Sequence, residues 1–319
     1  MKFLFRLIKA IFKFIFYTAI SIFGFLMVVG IAVSLLDNEN PEEVEPFVEE
    51  KSEYLVLPDE KSPDDSTRYI RHTRHWRDYA HKYYTGEYII AEEEVEKSRA
   101  HRINIPNVYG PGTAFEKFYQ RNLKMYESER NLFNWTWTYE TILNHDKTML
   151  GSMYTMFDSI LAREKPDRQD FANIIVSHVQ LLPYYLVHPQ TCEAYYAYDS
   201  TCAEFRCQYH RDKKPCLAEV DYGVLTPVEF AYDLRGDCDT RTILLMAILD
   251  HYDYDTKLLY SYNYGHAVLG VNMPATGHFV YFQGKKYYLW ETTNRDWLIG
   301  QIGASYQNMD YWDPLDIRF

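Results

Sequence analysis

The 319-residue sequence predicts an α+β protein: one N-terminal transmembrane helix, then a helical layer, then a core in which a helix precedes an antiparallel sheet. Three observations predict this. Residues 14–36 form an uncharged apolar run. Apolar and aromatic residues recur at three- and four-residue spacing between Thr113 and Leu182, the mark of helices with one buried face. From Thr226 a capped helical pattern gives way, after Asp255, to short β-type runs separated by turn residues.

Composition sets the outer bounds. With 47% hydrophobic and 17% aromatic residues the chain can bury a sizeable core, which excludes an intrinsically disordered protein. A net charge of −12 excludes the usual nucleic-acid binder, whose footprint is a basic face.

The run FIFYTAISIFGFLMVVGIAVSLL at 14–36 exceeds the roughly 20 helical residues needed to cross a bilayer. Lys2, Arg6, Lys9 and Lys13 precede it and acidic residues follow. The positive-inside tendency therefore predicts a single-pass membrane protein with a cytoplasmic N-terminus and an extracytoplasmic main domain, periplasmic in a bacterium. A cleaved signal peptide competes with this reading, because Ala32-Val33-Ser34 has small-x-small spacing. Both place the main domain outside the cytoplasm.

Residues 37–66 hold twelve acidic residues and four prolines and read as a solvated linker, with Tyr54–Leu57 as its one strand-like piece. Residues 67–170 read as a mixed, mostly helical region. His72, His75 and His81 do not share one helical face and have no cysteine near them, so a packing role is expected and no metal. Pro106–Gly112 punctuates a loop, and Phe115, Phe118, Tyr119 and Leu123 open the helical pattern.

Residues 171–319 form the predicted core, interrupted by a Cys-rich insertion at 190–220. Of five cysteines, Cys192, Cys202, Cys207 and Cys216 lie within this insertion, where two disulfides are expected outside the cytoplasm, in any of three pairings. A zinc site on the same four is the alternative, although only Cys202 and Cys207 approach metal-ligand spacing. Either way Cys238 is left over.

Thr226-Pro227-Val228-Glu229 is a capping box with proline in the first turn, and the helix it starts should end near Leu234. Asp237 can cap the next helix, which puts Cys238 in its first turn. Unpaired N–H groups and the helix dipole there favour a thiolate and can bind an oxyanion. Strands are expected at Thr256–Tyr260, His266–Val271, Phe279–Gln283 and Lys286–Trp290, with Glu291 closing the last. Strand ends brought to that helix start would set a histidine and a carboxylate beside the thiol, the order of parts in a nucleophilic triad.

Three segments carry a resemblance to the transglutaminase-like superfamily of papain-like cysteine enzymes. They are Arg235-Gly236-Asp237-Cys238-Asp239 after Pro227-Val228-Glu229, then Gly265-His266-Ala267-Val268, then Tyr287-Tyr288-Leu289-Trp290-Glu291-Thr292-Thr293. Ile299-Gly300-Gln301-Ile302-Gly303 looks like the family's exit from its core, and the resemblance spans about residues 171–303. It implies a papain-like fold, Cys238 as nucleophile, His266 as general base and acid, and Glu291 as the orienting carboxylate. By the same resemblance Gln180 could supply an oxyanion donor, with a plain solvent-facing glutamine as the favoured reading. The family most often has Asp where Glu291 stands, which leaves Asp296 as the alternative carboxylate. The implied activity is acyl transfer or hydrolysis of peptide or protein amides through a Cys238 thioester, with a peptide or protein substrate and no cofactor. An inactive peptide-binding or scaffolding relative at the membrane is the other reading.

Overall fold

The computed structural model describes residues 51–58, 66–105, 112–193 and 215–319. All belong to one compact unit, Glu50–Phe319. The predicted span at 14–36, most of the acidic linker, Cys202 and Cys207 lie outside the described residues.

The expected fold class needs correction at its first element. Among the described residues no helix is long and apolar enough to cross a membrane. The most apolar stretch, the Cys238–His251 helix, has 14 residues and a length of about 21 Å, short of a hydrocarbon core of about 30 Å. The remainder is α+β with antiparallel sheets.

The region read as mixed and mostly helical opens with a sheet before its helices. Strands β1 (Lys51–Pro58), β2 (Ser66–Arg77) and β3 (Tyr83–Ala91) form an antiparallel meander, with Ser52 opposite His72 and Trp76 opposite Tyr84. Ile70, His72, Arg74 and Trp76 alternate on the buried face of β2. Two of the four are polar, so hydropathy hides the period of two that marks a strand.

Their burial is tolerated because each has a partner. His72 Nε2 donates to the Tyr232 carbonyl at 2.9 Å while Nδ1 accepts from Ser52 Oγ at 2.8 Å. The Trp76 indole donates to the Ile174 carbonyl at 3.1 Å. Arg74 Nε donates to His178 Nε2 at 3.4 Å. Burial, then the Arg74 charge, holds His178 well below its ordinary value, so its ring is neutral and can accept.

The helical layer follows: α1 (Glu92–Ile103), α2 (Ala114–Arg121), α3 (Leu123–Ser128), α4 (Arg130–Asp146), α5 (Gly151–Glu164) and α6 (Arg168–Gln180). Asp167 caps α6 by accepting from the Asp170 N–H at 2.8 Å. The boundary expected at 170/171 therefore falls inside one continuous helix.

Helix α7 (Pro227–Asp233) starts with the capping box read from Thr226 and Glu229. Glu229 also receives a two-pronged contact from Arg102, Nε to Oε2 at 2.8 Å and Nη2 to Oε1 at 3.0 Å, both side chains being about 4% exposed. Removing Arg102 leaves the buried Glu229 with only the half-exposed Arg99, whose Nε lies 3.2 Å from Oε1, as its cation. Arg102→Ala is thus expected to lower the unfolding free energy by about 3–5 kcal/mol in a urea titration. A loss below about 1 kcal/mol, the level of a surface pair, would show that the contact is not buried in solution.

Helix α8 (Cys238–His251) is the centre of the core. Every residue from Thr240 to Leu249 is buried, not only the face Ile243–Leu249 that its pattern suggested. It lies against the last sheet on one side and α4, α6 and α7 on the others, and a helix covered all round is apolar all round. That sheet has β6 (Thr256–Ser261), β7 (His266–Val271), β8 (Phe279–Phe282), β9 (Lys285–Trp290) and β10 (Asp313–Pro314), in the order β10-β6-β7-β9-β8, every pair antiparallel.

Candidate active site

Three element ends meet where the sequence places its chemistry. Cys238 is the first residue of α8, His266 the first of β7, and Glu291 follows the last residue of β9. Strands β7 and β9 pair with Leu269 opposite Trp290. Continued one step, that register sets residue 291 beside Val268, on the same face as His266, because side chains alternate along a strand. The contact follows: His266 Nε2 lies 3.0 Å from Glu291 Oε2.

The other oxygen of Glu291 is fully engaged. Oε1 accepts from Thr292 N at 2.9 Å, Thr293 N at 3.0 Å and Thr293 Oγ1 at 2.7 Å. Burial alone would raise its pKa, but the His266 charge and these hydrogen bonds outweigh it and hold the carboxyl down at about 2. For His266, burial alone would lower the value. The Glu291 carboxylate and a hydrogen bond with the Cys238 side chain reverse that and hold the ring well above its ordinary value. Since Nε2 is taken by Glu291, Nδ1 is the nitrogen left to face the thiol. Cys238 is half-buried, so its thiol is reachable.

Asp237 departs from its expected role. It sits at the N-cap position of α8, but its side chain makes no cap hydrogen bond. Instead Oδ2 accepts from the Val187 N–H at 3.1 Å. Burial, with Asp239 and Cys238 beside it, holds the Asp237 carboxyl well above the usual carboxylate range. Asp239 accepts from the Tyr139 hydroxyl at 2.6 Å and from Thr240 N at 3.0 Å.

The remaining predicted residues separate cleanly. Gln180, read as a solvent-facing residue or an oxyanion donor, uses both amide hydrogens on backbone carbonyls, Glu291 O at 2.7 Å and Trp297 O at 3.0 Å. In this arrangement it braces the segment after β9. Asp296 lies at the surface, 3.3 Å from Arg77 Nη2, while Glu291 holds the histidine. Cys192 and Cys216 are at disulfide distance, beside the short parallel pair β4 (Leu186–Val187) and β5 (Cys216–Leu217), whose Val187 reaches Asp237.

Sequence reasoning missed several contributors. Arg241, one turn into α8, is wholly buried and donates to the carbonyls of Gly236, Val179, Thr292 and Leu182 at 2.7–3.2 Å. It thereby pins the segments before Cys238 and after Glu291 to the end of α6. Only its place on an apolar helix, where a buried arginine must have a purpose, could have flagged it. Tyr306 and Trp312 pack on the His266 ring, with centroids 5.1 and 6.0 Å away. Gly300 brings the segment after the site back against the 276–277 turn. A Cβ there would stand 1.8 Å from the Thr276 carbonyl oxygen, and its φ of +85° suits glycine alone.

No family model matches the chain, and neither a curated protein nor a solved structure does. The site therefore rests on its own geometry.

Proposed function

We propose that the protein is a transglutaminase-like cysteine enzyme that hydrolyses peptide or protein amides through a thioester at Cys238. The observation that carries this reading is the His266–Glu291 contact beside a half-buried helix-start cysteine, with the other Glu291 oxygen anchored by Thr292 and Thr293.

The chemistry follows from these parts. His266 takes the Cys238 proton as the sulfur bonds the amide carbonyl carbon, and the carbonyl electron pair moves to oxygen. The first-turn N–H groups of α8 other than that of Thr240, which donates to Asp239, bind that oxyanion. Collapse breaks the C–N bond, and the imidazolium returns the proton to the departing amine. Water, deprotonated by His266, then attacks the thioester, releasing the carboxylic acid and restoring the thiol. Hydrolysis is favoured over cross-linking because no feature identifies a second, amine-bearing substrate.

Iodoacetamide at neutral pH tests the thiol. Native protein should be alkylated at Cys238, mapped by peptide mass analysis, at a rate that drops at least tenfold in His266→Ala. A Cys238 that reacts only after denaturation would overturn the proposal.

A further inference from the structure

One large cavity is not used by this chemistry. It has a volume of about 850 Å³ and lies between α2, α3, α4 and the loop before α7, walled by Phe115, Tyr126, Phe133, Trp135, Trp137 and Tyr222. The size is typical of a small-ligand site, and its lining combines these rings with the polar side chains of Arg130, Asn131, Asn134 and Thr138.

The rings do not lie flat. Phe115 meets Phe133 at 76° and Trp137 at 64°, and Tyr126 meets Phe133 at 74°. Such a herringbone offers edges to faces, the arrangement an inserted aromatic ring completes best. A sugar would instead ask for a flat ring platform. Among the described residues lining the cavity, Arg130 is the one charged side chain, its guanidinium 5.1 Å from the Tyr126 ring centroid. In a chain of net charge −12 that single cation favours an acidic neighbour on the ligand.

Two further observations connect the cavity to the proposed chemistry. The ring of Trp135, in the cavity wall, stacks on Tyr139 with centroids 5.5 Å apart, and the Tyr139 hydroxyl donates to Asp239, the residue after Cys238. The wall is thus one ring and one carboxylate away from the residue next to the thiol. Tyr222 forms the rim with a φ of +64°, a conformation that side chains rarely adopt. It is held there because Arg102 Nη1 donates to the Asp221 carbonyl at 2.9 Å and the Gly223 N–H to the Val220 carbonyl at 2.8 Å. Non-glycine residues kept in such a conformation concentrate at ligand clamps.

We infer that this cavity is a specificity pocket for a peptide substrate, taking an aromatic side chain flanked by an acidic residue. The inference deepens the cysteine-enzyme reading and rests on it for the word substrate, but the binding itself can be measured without turnover.

The test uses Cys238→Ala protein, tryptophan emission as the signal, and three probes: acetyl-Glu-Phe-amide, acetyl-Gln-Phe-amide and acetyl-Glu-Ala-amide. Saturable binding of the first, several-fold tighter than the second and at least tenfold tighter than the third, is expected. Tyr222→Asn removes the rim ring and suits the backbone there. It should weaken the first probe about fivefold without lowering the thermal midpoint. Arg130→Ala should bring the first probe to the level of the second.

Equal binding of all three probes, or a Tyr222→Asn protein that binds unchanged, overturns the pocket. So does displacement of emission by chitotriose at lower concentration than by the peptides, which would mark a sugar site. Cleavage by wild-type enzyme without preference for aromatic residues overturns the pocket and leaves the enzyme reading standing. Tight aromatic binding with no cleavage of any peptide does the reverse.

Discussion

Cys238→Ala is expected to reduce hydrolysis of a responsive fluorogenic peptide by at least 10³-fold, with the fold intact by circular dichroism. Removing a nucleophile leaves only the acceleration due to binding and to the oxyanion donors. Cys238→Ser should fall nearly as far, because a hydroxyl is far harder to deprotonate than a thiol by a single imidazole. Both variants should still bind substrate, since the half-buried side chain contributes little to the core. Residual activity within tenfold of wild type in the alanine variant would assign the reaction elsewhere and leave a binding module.

Glu291→Gln is expected to lower kcat by about 10³–10⁴-fold, the scale seen when an orienting carboxylate becomes an amide. The reason lies in the hydrogen bonds. Oε1 of the glutamine keeps the Thr292 and Thr293 donors, which turns its NH₂ toward His266 Nε2. Nε2 must then accept, so the ring proton moves to Nδ1, the nitrogen facing the thiol, and cannot be replaced by the thiol's own proton. Glu291→Asp should lose less, about tenfold to a hundredfold. Its shorter reach gives up either the imidazole or the threonine donors, but keeps the charge.

The same variant has a pH signature. In the folded protein Glu291 titrates at about 2, below its ordinary 4.5, so its ionised form stabilises the fold. That contribution is complete above about pH 4.5 and disappears as pH falls through about 2. His266, raised above 6.5, contributes stability that is complete below 6.5 and is lost as pH rises through its higher folded value. Both limbs describe one ion pair. Urea unfolding across pH 2–9 should show the two slopes in wild type and flatten both in Glu291→Gln. Unchanged slopes would mean the pair is not ionised together in the fold.

Much of the site was legible because its parts are local. The Thr226–Glu229 box, the end of α7 before Leu234 and the span of β7 all follow from side chains within a few residues of the backbone they serve. The order of Cys238, His266 and Glu291 was readable for the same reason, each standing at the edge of an element whose limits are set by turns and caps.

What remained hidden depends on pairings far apart in the chain. The buried polar face of β2 is explained only by Tyr232, 160 residues from His72, and by His178, 104 residues from Arg74. Hydropathy counts those residues as surface, so the period of two that marks the strand does not show in the sequence. Asp237 looked like a cap, yet the Val187 N–H claims it from 50 residues away. Gln180 read as a solvent-facing residue or an oxyanion donor, yet it is buried with its amide on the Glu291 and Trp297 carbonyls.

The sequence by itself therefore determined the short-range elements, the place of Cys238 at a helix start and the strand-edge positions of His266 and Glu291. Local hydrogen bonding and periodicity act over a handful of residues, and that is information a sequence displays. The tertiary structure alone decided which carboxylate meets His266, what Arg241 and Gln180 hold in place, and that an aromatic-walled cavity is built against α4. Each is a matter of desolvation, and whether a polar group can be buried is settled only by the partner that folding brings to it.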